Sequence, residues 1–136
     1  MIQNKIVVRY KDGRISKGET SNFSSNKEFF HLTSINALPN TAPAKVFIKD
    51  LKGVFFVKTF GGNPEYKDKK EFNDVKIAAQ RKIKVTFKDG EVLMGTTYDY
   101  KPGIFGFFMF PADPQSNIER CFIISASTKE VLFIKE

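Results

Sequence analysis

Apolar and polar residues alternate over Lys5–Lys11. Ile6, Val8 and Tyr10 fall on one side, and Lys5, Arg9 and Lys11 on the other. Alternation of this kind marks a strand with one buried face. The pattern returns over Lys82–Lys88, where Ile83, Val85 and Phe87 alternate with Lys82, Lys84, Thr86 and Lys88. Asp12-Gly13 and Asp89-Gly90 follow the two runs. They suit a tight hairpin turn, because glycine reaches the positive φ that such a turn requires. Second strands are expected over about Ile15–Asn22 and Val92–Tyr98. Each holds an internal glycine, Gly18 or Gly95, where a sheet bends or another backbone comes close. Third strands are expected over Glu28–Thr33 and Phe105–Phe110, fourth strands over Lys45–Ile48 and Cys121–Ile124, and last strands over Val54–Lys58 and Val131–Lys135.

The second series repeats the first at an offset of 77 positions, from Ile6 and Ile83 to Val54 and Val131. A repeat of this length is a folding unit used twice. Setting Phe47 on Phe122 makes the second copy two residues longer before its last strand. The expected architecture is all-β: two tandem five-stranded small barrels, at 1–59 and 81–136, joined by a connector at 60–80. Within the connector, Pro64 precedes the charged stretch Glu65–Phe72, which is expected to form a short helix. Barrels this small have thin cores. Adjacent aromatics such as Phe55-Phe56 must also point to opposite faces, so the halves are expected to pack together.

The strand–turn–strand segments Ile6–Gly18 and Ile83–Gly95, with the terminal strands, resemble the Sm-like fold, a small bent β-barrel of the SH3-like kind. The loops that carry the nucleotide pocket in RNA-binding Sm proteins read differently here: Phe23–Glu28 and Lys49–Gly53 in one copy, Tyr100–Ile104 and Ser125–Lys129 in the other. The resemblance therefore implies the fold and not that pocket. The string Leu51–Val57 running into Gly62-Asn63-Pro64-Glu65-Tyr66 is also similar to an uncharacterised family of small bacterial proteins. So is Gly106–Asp113 with Ser116-Asn117 and Arg120 after it. That likeness implies no activity.

The chain carries a formal charge of +7, of which +6 falls in residues 1–59, 0 in 60–80 and +1 in 81–136. A basic excess in the first copy suits a polyanion or an acidic protein surface. Arg9, Lys11, Arg14 and Lys17, joined by Lys82 and Lys84, are the candidate polyanion-binding residues. The loop bearing Asp113, Gln115, Ser116 and Asn117, with Arg120 behind it, breaks the repeat and is the candidate partner-binding loop.

With one His31 and one Cys121, a chain offers neither a protein-only zinc site nor a disulfide framework. No nucleophile elbow or phosphate-cradling loop occurs. The expectation is a non-enzyme without cofactor: a cytoplasmic binding or adaptor module. The alternative is a protein that binds RNA or single-stranded nucleic acid through its basic first strands. The partner is thus a protein or a nucleic acid, with no membrane contact, because no run approaches the ~18 apolar residues of a span. The barrel edge strands offer a route to homo-oligomers.

Overall fold

The computed structural model describes residues 3–61 and 80–134. Ten strands form a first set, β1 (Asn4–Tyr10), β2 (Ile15–Thr20), β3 (Phe29–Ser34), β4 (Ala44–Phe47) and β5 (Leu51–Val57), and a second, β6 (Arg81–Phe87), β7 (Val92–Thr97), β8 (Gly106–Pro111), β9 (Ile118–Ile124) and β10 (Thr128–Phe133). Single 3₁₀ turns, Ile48–Asp50 and Ser125–Ser127, lead into β5 and β10. The described residues contain no α-helix. The helix expected over Glu65–Phe72 lies outside them.

All ten strands join in one antiparallel sheet, in the order β10-β6-β7-β8-β9-β5-β1-β2-β3-β4. Two tandem small barrels packed together were expected, but the sheet is one continuous, open sheet, with β10 and β4 at its edges. The reason lies in β5 and β9, which pair with each other from Gly53↔Ile123 to Val57↔Ile118 and so fuse the two sets.

Pleating then gives each central strand a face in each of two cores. Val54 and Phe56 of β5, with Phe122 and Ile124 of β9, join Ile6, Val8, Phe30 and Ile48 in one core. Phe55 and Val57, with Cys121 and Ile123, join Ile83, Val85, Phe87 and Phe107 in the other. The sheet therefore wraps one core on one face and the second on the opposite face. Every residue of β5 is buried, so the adjacent aromatics are accounted for inside the chain. Each fully buried Phe contributes about 1.5–3 kcal/mol of transfer free energy.

Four strands of the second set start 77 positions after their counterparts: Asn4 and Arg81, Ile15 and Val92, Phe29 and Gly106, Leu51 and Thr128. Register corrects the alignment of the fourth strands. Phe29 pairs with Phe47 and Gly106 with Ile124, so Phe47 corresponds to Ile124 and the two-residue insertion vanishes. Phe122 attracted the wrong match because both positions are aromatic. Its ring fits because position 106 is glycine: a Cβ there would lie 2.5 Å from it. In the first set Phe29 fills that place, and Lys45 stands where Phe122 would.

Candidate functional site

The two Asp-Gly turns, far apart in sequence, come together where β5 meets the second set. Both use glycine at φ +94°, in Gly13 and Gly90. Each is closed by backbone bonds, Gly13 N–H to Tyr10 O (3.1 Å) and Gly90 N–H to Phe87 O (2.9 Å). Each is stitched to its set's 3₁₀ turn, Lys11 N–H donating to Asp50 O and Lys88 N–H to Ser127 O, both at 3.0 Å. Between them lies a cleft of about 620 Å³. Its lining carries five cationic residues, Arg9, Lys11, Arg14, Lys52 and Lys88, against Asp12 and Asp89.

Ion pairs across the junction hold this cluster. The Lys52 side chain is 10% exposed, and its Nζ donates to Asp89 Oδ2 at 2.7 Å and to Glu91 Oε1. The same ammonium lies 4.5 Å from the Phe87 ring centroid. Arg9 Nη1 donates to Glu91 Oε1 at 2.8 Å, with the guanidinium 4.8 Å from the Phe55 ring. The Nε of Arg9 is buried without a hydrogen-bond partner. On the other turn, Arg14 donates its backbone N–H (3.0 Å) and its Nε (2.8 Å) to Asp12, and its guanidinium stacks 4.4 Å from the Tyr10 ring. The backbone bond from Arg14, ahead of its side-chain bond, lowers the carboxyl pKa of Asp12. The bond from Lys52, followed by the Glu91 N–H, lowers that of Asp89. Both carboxylates stay charged at neutral pH. Among the described residues, the side chains of Lys11 and Lys88 make no salt bridge, so their charge faces solvent at the cleft.

Of the expected cationic residues, Arg9, Lys11 and Arg14 gather here. Lys17 does not, and its Nζ donates to Phe60 O at 3.2 Å. Lys82 and Lys84, on β6, also fall outside the cleft lining. Lys52 and Lys88 complete the site. The sequence held one signal for Lys52, a lone cation in the otherwise apolar run Leu51–Val57. It held another in the sign reversal between Arg14 and its counterpart Glu91.

The loop before β9 is anchored to the chain by Asp113, Ser116 and Asn117, while Pro114 and Gln115 are exposed at its tip. Asp113 is 5% and Ser116 1% exposed. Gln115 N–H donates to Asp113 Oδ1, and Ile118 N–H to Ser116 Oγ. Asn117 Oδ1 accepts from Thr59 N–H (3.0 Å) and from Thr59 Oγ1 (3.2 Å), while its Nδ2 donates to Thr59 O (2.9 Å). Arg120 lies over Phe56, 4.2 Å from the ring centroid. Among the described residues, no three His, Cys, Asp or Glu are placed to hold a metal ion, and no helix is long and apolar enough to cross a membrane.

Fold and site together define an all-β protein with a cationic cleft at the seam of two matching strand sets. The chain belongs to DUF6982, a family of unknown function whose profile matches residues 2–135. No curated protein and no solved structure matches it.

Proposed function

We propose that this chain is a non-enzymatic binding module of the cytoplasm, a duplicated Sm-like unit whose contact site is the cleft at the seam. Its partner is a protein that presents acidic groups. The observation that carries this reading is the cleft itself: five cations from both sets around one cavity, with Lys11 of one turn and Lys88 of the other exposed. The cross-junction ion pairs hold Arg9 and Lys52 in place, so a partner meets a preformed positive surface. Such a surface speeds and orients the approach of an acidic partner.

A second reading, RNA or single-stranded nucleic acid, is favoured by one feature. Arg14 stacked on Tyr10 offers a planar cation at the cleft wall, the kind of surface on which a base stacks.

The test is fluorescence anisotropy with two labelled probes, poly-glutamate and a single-stranded oligonucleotide, titrated at several salt concentrations. Lys11→Ser with Arg14→Ser and Lys88→Ser is expected to abolish binding of the probe that binds. Lys82→Ser with Lys84→Ser is expected to leave it unchanged. For an oligonucleotide, each lost phosphate contact lowers the salt slope by about 0.7. Binding of neither probe at low salt overturns both readings, and equal loss from the two variants overturns the assignment to the cleft.

A further inference from the structure

We infer that the acidic partner is read through an apolar anchor as well as through its charge. The segment that enters the cleft carries a large aliphatic side chain beside its carboxylates, and that side chain seats on Ile15. The inference rests on the reading of the cleft as a site for an acidic protein, and adds to it the chemistry of the segment that is bound.

Ile15 opens β2 directly after the first Asp-Gly turn, next to Arg14, and lines the cleft together with the five cations. It is 57% exposed. Alternation along β2 sets its direction: Ile15, Lys17 and Glu19 are exposed, whereas Gly18 and Thr20 are buried. An apolar side chain therefore stands on the face where this strand otherwise carries charge. The fold does not require that exposure, since the counterpart in the second set, Val92, is half-buried.

Ile15 has apolar company. Gly18 of β2 pairs with Ser34 of β3, and the ladder runs on, with the Ile35 N–H donating to Lys17 O at 3.1 Å. This register sets Ile35 across from Lys17, on the face that Ile15 shares and diagonal to it. Ile35 is 47% exposed, and Leu38, in the loop that follows, is 76% exposed. One exposed apolar residue is ordinary, but a row of them leading out of a cleft marks a contact surface.

Charge fixes the occupant. Lys11, Arg14 and Lys17 flank the apolar row in sequence, and Lys88 adds a cation from the other turn. Gly13 and Ala126, both exposed in the cleft lining, leave room for a main chain, and nothing lies within 4 Å of a Cβ built on Gly13. Carboxylates of an incoming segment can pair with Lys11, Arg14 and Lys88 while an aliphatic neighbour covers Ile15. A wholly polar polyanion would leave Ile15 in water. An anionic bilayer matches the same charges, but it is flat, and a cleft between two turns meets it only at the rim.

The test compares two labelled acidic peptides of equal length and charge, one with leucines and one with serines at the same positions, titrated into the full chain by fluorescence anisotropy. The leucine peptide is expected to bind about tenfold tighter, the worth of burying roughly half of one leucine side chain. Ile15→Thr, which keeps the β-branch at an exposed site, is expected to bring that ratio close to one, and Ile35→Thr to lower it in the same direction. Leu132→Thr, exposed on β10 and outside the cleft lining, is expected to leave the ratio as it was. Unchanged melting verifies the fold of each variant. If both peptides bind in a salt-sensitive way with equal affinity, or if Ile15→Thr keeps the full preference, the anchor is overturned and the electrostatic reading of the cleft stands. If neither peptide binds at low salt, that reading falls and the anchor with it. Vesicles of phosphatidylserine and phosphatidylcholine form a third arm. Binding to them that weakens in Ile15→Thr, with no preference between the peptides, overturns the inference in favour of a membrane surface.

Discussion

Lys52 Nζ lies 2.7 Å from Asp89 Oδ2, a contact between the two strand sets made by a nearly buried ammonium and a carboxylate that is about half exposed. The exposed partner limits its strength to about 1 kcal/mol or less. Its pH dependence has a definite sign. Lys52 holds the Asp89 carboxyl below its ordinary value of 3.8, so the stabilisation is present above that value and lost as pH falls through the lower, folded-state value. Lys52→Met keeps the apolar stem and removes the charge. It is expected to lower stability modestly at neutral pH, by an amount that shrinks as pH falls below the ordinary Asp89 value and the carboxyl takes up its proton. Urea melts of both proteins across that range check this. A deficit that is independent of pH would show that packing, not the pair, is what Lys52 supplies.

The two mid-strand glycines make a stricter prediction. A Cβ at Gly18 would lie 2.3 Å from Thr33 O, and one at Gly95 would lie 2.2 Å from Phe110 O. Backbone stands in the way in both cases, at strand pairs that hold β2 to β3 and β7 to β8. Gly18→Ala and Gly95→Ala are each expected to cost about 2 kcal/mol or more through backbone displacement. Gly61→Ala, with nothing within 4 Å, is the control and is expected to be neutral. Thermal melts of the three variants decide it.

These glycines also show why much of the fold was legible in the sequence. Alternation places the first strands almost to the residue, and the Asp-Gly pairs place the turns, since both signals are local. The Phe47–Phe122 match failed because similarity of side chain is a weaker guide than register, which depends on the neighbouring strand. The single open sheet was hidden for the same reason. Pairing of β5 with β9 is a contact between distant segments, and no local pattern announces it. Adjacent aromatics told only that both faces of β5 must be covered. The cleft was half legible. Arg9, Lys11 and Arg14 were visible as a basic run, but Lys52 and Lys88 reach it through the fusion of the two sets.

That fusion predicts interdependence. A fragment of residues 1–59 would expose Phe55 and Val57, which pack into the second core, and would lose Phe122 and Ile124 from the first. A fragment of residues 81–136 would suffer the converse. Each is expected to be poorly folded or to aggregate, whereas the two mixed in refolding buffer recover β-sheet circular dichroism. Two stable fragments with separate cooperative melts would contradict the shared cores.

The loop before β9 supplies a fourth expectation. Asn117 makes three hydrogen bonds to Thr59, and the Ser116 hydroxyl is buried against the Ile118 N–H. Ser116→Ala with Asn117→Ala is expected to cost about 1–3 kcal/mol, chiefly by leaving the part-buried Ile118 N–H without its partner. Probe binding at the cleft should be unaffected at temperatures where the variant is folded. Loss of binding with an unchanged melt would instead return this loop to the role of a contact site.

The last prediction concerns Cys121, which sits fully buried on β9 with its Sγ 3.8 Å from Met109 O. Burial first, and then the nearby Glu91, pushes its thiol pKa up to about 12. A thiol that cannot ionise is a poor nucleophile, since the thiolate is the reactive form. The native protein is therefore expected to resist a disulfide-exchange reagent at pH 8 to 9, and to react at one equivalent once unfolded in urea. The sign of the linkage follows from the same shift. The unfolded chain releases this proton from about pH 9, while the folded chain holds it to about 12, so stability falls as pH rises through that interval. Cys121→Ala removes this source of alkaline sensitivity but leaves a cavity between β8 and β9. The expected result is a chain less stable at pH 7 whose further loss between pH 9 and 11 is smaller than that of the unaltered protein. Rapid labelling of the native thiol at pH 8 would show that β9 opens readily at the seam, and would count against the seam as the rigid centre of the molecule.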